Sequence, residues 1–589
     1  MRRALVCALV LAGCRQALGI PEQGSVEQFT IGGEIRGAVG ITDGPARLFV
    51  EGDELAITAD GPFTFERARD DGTEYTVTAD HCTAANNVGM IAGADVTDIA
   101  LTCDGLVSLR SFGFSAPLEE SGGFASGTLD HQVHGSLLAQ QMTIAPAFNY
   151  DGGRIVRIQA GGATLSPNAD GSYGPLDLPA STMIFTVENA NEPTIRSREY
   201  TVQLMVDPPA IYGYGKLDAP AANDTLGRAL AADGDVLVAG LPDRAVVFRR
   251  AGTSWTQEAL LLPPDAAIGF GAAVAIAGDR IVVGAPGSGS AYEFTRTADT
   301  WTFTTKYQAP SPTAGDEFGA ALAISGDALA VGAPGTAAGR GAAYVIDGSG
   351  TRTLTVALEA GDRFGTAIAI AGTHVVVGAP GDDSSDDTKN NAYADAGAAY
   401  VFDGAVASYL KPASPGAGDA FGSAVAIDAT GTRIVVGAPL EDGSQPGIDA
   451  PSDEAAPAAG AAYTFTFSAA AWSREHVIKP PAVATGDNFG AAVAIAGTVL
   501  AIGAPYRNDT VLDAGAAYVY SLKTALTTAT TPELVHANNP GESDAFGSAL
   551  ALTRETLVVG APREDSPATG WNGNQGDGAI DTGAVYSFR

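Results

Sequence analysis

Acidic side chains crowd several long connections in the C-terminal two-thirds of the chain. Two stretches are richest in oxygen donors, one with Asp382, Asp383, Asp386 and Asp387, the other with Asn572, Asn574, Asp577 and Asp581. Calcium takes six to eight oxygen ligands in a flexible shell, which glycine-containing loops can provide. The spacing is irregular and completes no EF-hand-type pattern. The residues therefore leave two interpretations open, calcium-binding loops and solvated acidic loops.

Catalytic motifs are missing from the sequence. It contains no Gly-x-Ser-x-Gly elbow, phosphate loop, Gly-x-Gly-x-x-Gly fingerprint or His-Glu-x-x-His zinc motif. Of six histidines, His131 and His134 form the one close pair, which is more typical of a turn or strand than of a metal site. A carboxylate pair of the glycosidase type cannot be located among so many acids. We predict no catalytic residues and a protein that is not an enzyme.

Four cysteines and the N-terminus bear on export. Arg2 and Arg3 precede an apolar run from Ala4 to Ala12, which predicts a signal peptide too short to span a bilayer. Cys7 falls in that signal. Cys82 and Cys103, within one small β-domain of an exported protein, predict a disulfide, with two buried free thiols as the alternative.

The end of the apolar run, Leu11-Ala12-Gly13-Cys14, resembles the lipobox of bacterial lipoproteins. The resemblance implies a signal peptide over 1–14 and lipidation of Cys14, and an ordinary secretory signal with an incidental cysteine is the alternative. Arg15 stands where an inner-membrane retention signal often has Asp, so we expect the outer membrane, on its surface or periplasmic face. Two acyl signals are sufficient for stable anchoring without a transmembrane segment.

Seven copies of one pattern must position the acidic connections. A copy begins Phe-Gly, continues through a small-residue strand and a β-branched strand into Gly-Ala-Pro, and closes with a small-small-Tyr strand. Six copies start at Phe270, Phe318, Phe364, Phe421, Phe489 and Phe546, and a degenerate copy starts at Leu226. Successive Phe-Gly starts lie 46 to 68 residues apart, which suits a four-stranded propeller blade with loop insertions. No segment of these copies looks helical.

These motifs resemble the FG-GAP repeat, the repeat of the integrin α-chain propeller. The resemblance covers residues 212–589 and implies a seven-bladed β-propeller, which we place at 208–589. Integrin-type calcium loops precede the Gly-Ala-Pro strand, where this chain has tight connections such as Ala277-Gly278-Asp279-Arg280. Those calcium sites are therefore not expected here.

Two further expectations concern the repeat itself. The last copy ends at Arg589 one strand short, and Gly215 to Pro220 resembles the missing outer strand, so we predict that this segment pairs into the seventh blade and closes the ring. An Asp precedes Phe-Gly in five copies, at Asp316, Asp362, Asp419, Asp487 and Asp544. Recurrence once per copy favours a structural role, a turn capped by the Asp side chain.

Short alternating strands with Asp-Gly turns precede the repeats. Residues 29–104 look like a small immunoglobulin-like β-sandwich and residues 105–207 resemble a cadherin-like β-sandwich, following a linker at 15–28. The predicted fold class is therefore all-β, a seven-bladed FG-GAP propeller preceded by two small β-sandwich domains.

Composition limits the choice of partner. A net charge of −34 makes nucleic acid an unfavourable partner. We expect a monomeric, lipid-anchored binding or adhesion protein that presents its long-loop face to a glycan, matrix or protein ligand. A periplasmic scaffold is the alternative, and an enzyme that uses the central pocket is a third hypothesis.

Overall fold

A computed structural model gives the structure of the chain. It describes residues 28–36, 46–50, 52–57, 61–70, 72–79, 82–103, 109–114, 118–120, 130–136, 141–148, 153–158, 168–170, 172–177, 182–189, 198–207, 209–251, 254–386, 390–508, 511–570, 578 and 580–589. Within these ranges no helix is long and apolar enough to cross a membrane. The chain divides into two compact units, one comprising Met1–Val133 and Met142–Met205, the other His134–Gln141 and Val206–Arg589.

The first part of the first unit has two four-stranded sheets around one core. Its strands are β1 Gln28–Arg36, β2 Ala46–Val50, β3 Asp53–Ile57, β4 Gly61–Asp70, β5 Glu74–Ala79, β6 Cys82–Ala85, β7 Val88–Met90 and β8 Val96–Cys103. The sheet orders are β4-β1-β8-β6 and β3-β2-β5-β7. Alternate residues of both sheets are buried together, including Ile31, Phe65, Leu48 and Val77. This is the pattern of half-buried strands, whose side chains alternate between core and solvent.

A five-stranded and a three-stranded sheet follow. Their strands are β9 Leu109–Phe114, β10 Leu118–Glu120, β11 Asp130–Ser136, β12 Gln141–Phe148, β13 Gly153–Ile158, β14 Tyr173–Asp177, β15 Thr182–Asn189 and β16 Arg198–Asp207. The sheet orders are β10-β11-β16-β15-β13 and β14-β12-β9.

The described part of the second unit contains seven four-stranded antiparallel sheets. We number the sheets one to seven in the chain order of the strand that opens each repeat copy. The strands are β17 Ile211–Gly215; β18 Ala229–Asp233, β19 Val236–Gly240, β20 Ala245–Ala251, β21 Ser254–Leu261; β22 Val274–Ala277, β23 Arg280–Ala285, β24 Ser290–Thr297, β25 Thr300–Gln308; β26 Ala321–Ser325, β27 Ala328–Ala333, β28 Ala342–Asp347, β29 Gly350–Leu354; β30 Ile368–Ala371, β31 His374–Ala379, β32 Ala398–Asp403, β33 Val406–Leu410; β34 Ala424–Ile427, β35 Arg433–Ala438, β36 Ala461–Ser468, β37 Ala471–Ile478; β38 Ala492–Ala496, β39 Val499–Ala504, β40 Ala516–Ser521, β41 Glu533–Val535; β42 Ala549–Leu552, β43 Leu557–Ala561 and β44 Ala584–Phe588.

Sheets one to six each use four consecutive strands, and their opening strands are β18, β22, β26, β30, β34 and β38. Sheet seven has the order β17-β44-β43-β42, and its opening strand is β42. The first strands contact one another in sequence, β18 to β22 and so on to β42, and β42 also contacts β18. The second strands are almost fully buried, as in β19, β27 and β43.

The outer strand of sheet seven lies slightly earlier than the sequence predicts. β17 pairs antiparallel with β44, with Tyr214 opposite Tyr586 and Gly215 opposite Val585. The predicted segment, Gly215 to Pro220, shares only Gly215 with it. Pairing of the segment before the first copy is therefore confirmed, and its predicted bounds are wrong.

Helical structure in the described ranges is limited to two short turns. A 3-10 turn covers Pro286–Ser288 and a one-turn helix covers Thr336–Gly339. Within the latter, Ala337 and Ala338 have left-handed φ angles of 51° and 62°, so this turn is not a regular helix. The described chain is otherwise strands and connections, which agrees with the all-β prediction.

Candidate functional site

Each Phe-Gly phenylalanine packs inside its own sheet against the tyrosine of the small-small-Tyr strand. Phe364 and Tyr400 have ring centroids 5.4 Å apart, and Phe421 and Tyr463 are 5.2 Å apart. The same pair occurs in sheets two, three, six and seven. Edge-on and tilted aromatic contacts of this kind add to the free energy of apolar burial. The two most distinctive residues of the repeat thus pack together in sheets two to seven.

The glycines of the two motifs meet between neighbouring sheets. A Cβ added to Gly284 of sheet two would lie 2.0 Å from the carbonyl oxygen of Gly319 in sheet three. The same contact joins sheet seven to sheet one, where a Cβ on Gly560 would lie 1.9 Å from the oxygen of Gly227. Backbones this close exclude any side chain. Phe-Gly and Gly-Ala-Pro are therefore two halves of one contact, made between successive sheets.

Connections at the same end of the sheets are joined by short parallel bridges, which we call seams. In the seam between sheets four and five, Gly397 pairs with Phe421. Equivalent bridges are Gly341 with Phe364, Gly460 with Phe489, Gly515 with Phe546, and Gly583 with Leu226. We call this end of the sheets the loop face, and the end with the hairpin turns the turn face.

The acids before Phe-Gly cap turns on the loop face. Asp316 Oδ2 accepts a hydrogen bond from the Thr313 amide at 2.7 Å, and Asp544 Oδ2 accepts one from Gly541 at 2.6 Å. Asp362 and Asp419 do the same, and Asp487 accepts a backbone hydrogen bond from Ala484. All five are buried. The predicted structural role is confirmed.

Two of these caps keep one carboxylate oxygen without a hydrogen-bond partner, Oδ1 of Asp419 and of Asp487. Burial, reinforced by Glu441 and Glu454, raises the pKa of Asp419 to about 7. Burial raises the pKa of Asp487 to about 6. Desolvation disfavours the charged form of a carboxyl group, so both caps titrate near neutral pH.

Three connections on the loop face are fixed by a buried lysine. Lys216, Lys411 and Lys479 each follow the outer strand of their sheet and form ion pairs with Glu564, Asp382 and Glu441 respectively. Each acid lies four residues after the glycine of Gly-Ala-Pro, and all three acids are buried. The lysines also donate to connection oxygens, as Lys479 does to Gly443 O at 2.6 Å. These lysines were missed by sequence analysis.

Comparison of the repeats with one another could have found them. Only sheets four, five and seven have an acid at this position and a lysine after the outer strand. At the positions that are equivalent in strand register, the other sheets have Arg244, Ser288, Thr336 and Arg507 for the acid and Leu262, Gln308, Thr355 and His536 for the lysine. A correlation that recurs within one chain indicates contact between the two positions.

The predicted calcium residues fall into three groups. Asp382 bonds to Lys411 and accepts hydrogen bonds from Tyr400 and Tyr409, and burial raises the pKa of both tyrosines. Asp383 and Asp386 accept hydrogen bonds within their own connection, from the Asp395 amide and the Asn390 side chain, and the amide of Asp581 donates to Asp565. Asp387, Asn572, Asn574 and Asp577 lie outside the described residues.

In the described ranges, no group of three or more His, Cys, Asp or Glu is placed to hold a metal. At Asp382 a lysine ammonium supplies the positive charge. Calcium binding by the two connections stays a prediction.

The predicted disulfide has backbone support. β6 and β8 pair antiparallel with Cys82 directly opposite Cys103. The side chains of both cysteines lie outside the described part of the structure, and so does the whole of Cys14. The disulfide and the lipidation stay predictions.

Two cavities lined by described residues of the second unit bear on the search for a site. One of about 360 Å³ sits beside the long connection of sheet five and is lined by Glu441, Ser452, Tyr463 and Arg474 among others. The other, of about 790 Å³, is lined mainly by hairpin turns between first and second strands from six sheets. Charged side chains at the second cavity bond to their surroundings: Asp235 pairs with Arg250 at 2.5 Å and Asp233 accepts the Gly278 amide at 2.6 Å. That the chain is not an enzyme stays a prediction.

The structure thus defines an all-β protein of repeated four-stranded sheets with a loop face built from buried caps, ion pairs and seams. Five segments match the FG-GAP repeat, residues 255–294, 301–346, 358–402, 410–465 and 472–520. Each segment ends in the third strand of one of sheets two to six. Matches to five FG-GAP repeats suggest a propeller-like, ligand-binding adhesion domain.

Other comparisons add little. No curated protein matches the chain. One similar solved structure is described as a crystal structure of the mitotic checkpoint complex, with 12% identity and a TM-score of 0.37. The match covers 63% of this chain and 93% of that one.

Proposed function

We propose that the second unit is a closed seven-bladed β-propeller whose loop face binds a protein or glycan ligand, in a protein that serves attachment. The observation that carries the binding role is the construction of the loop face. Buried lysine and aspartate side chains hold the connections of the loop face in place. Other residues of the same connections are exposed to solvent. A rigid surface loses little conformational entropy on binding, which favours affinity.

Closure of the ring is supported by three features of the described residues. First strands contact one another in order and β42 contacts β18. Gly560 of sheet seven approaches Gly227 of sheet one in the same way as Gly284 of sheet two approaches Gly319 of sheet three. Turns from six of the sheets line one cavity, as they would around a propeller axis.

The N-terminal proposals rest on the sequence and on the register of one strand pair. We propose lipidation at Cys14, export to the outer membrane, and immunoglobulin-like and cadherin-like sandwiches over 29–104 and 105–207. Directly opposed residues of an antiparallel pair have Cα atoms about 4.5 to 5.5 Å apart. That range suits a disulfide, and the Cys82 and Cys103 register therefore favours one.

Protease treatment of intact cells tests the location. The chain is expressed with its own N-terminus in a bacterium that exports lipoproteins, and fragments of the second unit are followed by antibody, with lysed cells as control. Cleavage on intact cells is expected for an adhesion protein. Protection until lysis would contradict surface attachment and favour the periplasmic scaffold.

A binding screen tests the function. The purified full chain is applied to immobilised glycans and matrix proteins, and each positive is repeated with Asp453→Asn/Glu454→Gln on the exposed connection of sheet five. The matched control is Asp279→Asn/Asp327→Asn on the turn face. We expect the first variant to weaken binding about tenfold or more and the control to leave it unchanged. Equal effects of both variants would contradict a loop-face site.

A further inference from the structure

Exposed apolar side chains recur on the loop face of sheets four to seven. Tyr393, Leu440, Leu512 and Ile580 are 43%, 41%, 53% and 68% exposed. Each belongs to the connection between the second and third strands of its sheet. Four successive sheets therefore each present one large apolar residue at the same end. We call these four residues the apolar row.

The backbone at three of these positions is held by the next sheet. Leu512 O accepts a hydrogen bond from the Ser543 amide at 2.9 Å, and Ile580 O accepts one from Asn223 at 3.0 Å. Ala394, which follows Tyr393, accepts one from Gly418 at 2.8 Å. These bonds belong to the seams between sheets. The seams thus fix the backbone at or beside three of the four residues, while the side chains of the row are exposed.

Carboxylates are abundant in the four connections that carry the row. The described residues of 380–397, 439–460, 505–515 and 562–583 include thirteen Asp and Glu and two Arg. Asp513 and Asp581 directly follow Leu512 and Ile580, and Asp395 is two residues after Tyr393. Some acids are neutralised by the buried lysines, but Asp395, Asp453 and Glu454 are exposed. The surface around the row is therefore strongly acidic.

From this placement we propose that the apolar row and its carboxylates dock a basic segment of a partner protein that carries apolar side chains. The inference rests on the proposed loop-face function and names its partner chemistry. Charge complementarity selects a cationic partner and suppresses acidic ones. Apolar side chains on a fixed backbone provide the contact surface, as at the centre of protein interfaces. A neutral glycan carries no positive charge to complement the carboxylates.

Binding of defined peptides to the full chain tests the proposal. The probes are fluorescent peptides of equal length composed of Lys and Leu, of Lys and Gly, and of Glu and Leu, measured by anisotropy at physiological salt. We expect the Lys-Leu peptide to bind most tightly. Tyr393→Asn/Leu512→Asn/Ile580→Asn should weaken its Kd about tenfold or more and leave Lys-Gly binding unchanged. Val406→Asn, at an apolar residue of the turn face that is 72% exposed, is the matched control and should change neither.

A second variant set tests the charge. Asp395→Asn/Asp513→Asn/Asp581→Asn should weaken binding of both lysine peptides and reduce its dependence on salt. The matched control is Asp279→Asn/Asp299→Asn/Asp327→Asn, which removes three carboxylates from the turn face. Circular dichroism and melting curves establish that all variants fold.

Several results would overturn the proposal. They are equal binding of Lys-Leu and Lys-Gly peptides, equal binding of the Glu-Leu peptide, or equal effects of loop-face and turn-face variants. If the chain binds a glycan or matrix protein through the loop face but not the Lys-Leu peptide, the partner chemistry is wrong and the proposed function stands. If no ligand depends on the loop face, both are wrong.

Discussion

The buried lysines show how single residues organise the acidic loop face. A buried ion pair seldom adds much net stability, because desolvation of both charges offsets their attraction. Removing one partner is costly, because the remaining charge stays buried without compensation. Lys479 and Glu441 are both almost inaccessible to solvent. Replacing only one of them therefore leaves a buried charge without its partner, whereas replacing both does not. We infer that the pairs serve to fix the connections.

Lys479→Met should lower the free energy of unfolding of the second unit by about 3 to 5 kcal/mol, because Glu441 loses its cation. The double variant Lys479→Met/Glu441→Leu should recover most of the loss, since neither charge then remains. Calorimetry of the full chain measures both. A double variant no more stable than the single one would show that the lysine acts by packing rather than by charge.

Asp419 predicts a dependence of stability on pH. The pKa of its carboxyl group, about 7, is above the ordinary value of 3.8, so the folded chain binds this proton more tightly than the unfolded chain. The unfolding free energy therefore falls as pH rises from about 4 to about 7. Asp419→Asn keeps an acceptor for Gly416 and removes the charge.

This variant should be more stable than the parent at pH 8 by about 1 to 3 kcal/mol, the cost of an unsatisfied buried polar group, and should gain little at pH 5. Melting curves at the two pH values measure the difference. Asp316→Asn shows what an amide in place of the cap carboxylate does by itself. A gain equal at both pH values would refute titration of Asp419 as its cause.

At the scale of single residues, the sequence predicted roles that recur in every copy and missed those that vary. The Asp caps repeat at one position, and recurrence identified them. Asp382 was predicted as a calcium ligand because its partner Lys411 lies 29 residues further along the chain, after the outer strand of the sheet. A carboxylate alone does not reveal which cation faces it.

At the scale of elements, the strands were predictable because their β-branched runs end at Gly, Pro and Asp. The partner of each glycine was not predictable, because the glycines of Phe-Gly and Gly-Ala-Pro meet between neighbouring sheets rather than within one sheet. β17 was misplaced because the segment from Gly215 to Pro220 was taken as the outer strand, whereas the strand ends at Gly215. Lys216 instead occupies the position after the outer strand, as Lys411 and Lys479 do.

The seams should tolerate no side chain at their glycines. Gly397 has a φ of 80°, and a Cβ there would lie 2.1 Å from Phe421 O, so Gly397→Ala must move the neighbouring sheet. Gly404→Ala is the matched control, with a φ of 61° and nothing within 4 Å of the added Cβ. Both variants carry strain from the left-handed backbone, about 1 kcal/mol or more. Gly397→Ala should lower the melting temperature clearly further, and equal losses would mean that the close approach has no energetic role.

At the scale of the whole molecule, the number of copies was predictable from the repeat, while sheet seven is completed by one strand from outside the copies. Tyr214 of β17 is 1% exposed and packs against Tyr586 with ring centroids 5.1 Å apart. It also donates a hydrogen bond to Glu564 at 3.0 Å, and Lys216 pairs with the same carboxylate. β17 thus covers the edge of β44 and connects two ends of the second unit.

Replacing Ile211–Gly215 by a Gly-Ser segment of equal length should therefore destabilise the second unit while keeping the chain length. Loss of the buried Tyr214 side chain alone should cost about 3 to 5 kcal/mol, by analogy with other large aromatic residues. Calorimetry should show a lower melting temperature, and hydrogen exchange should show faster exchange along β44. The matched control is the same replacement at Thr527–Thr530, a mostly exposed loop of sheet six. An unchanged melting temperature in the first variant would show that the second unit does not depend on β17 for closure.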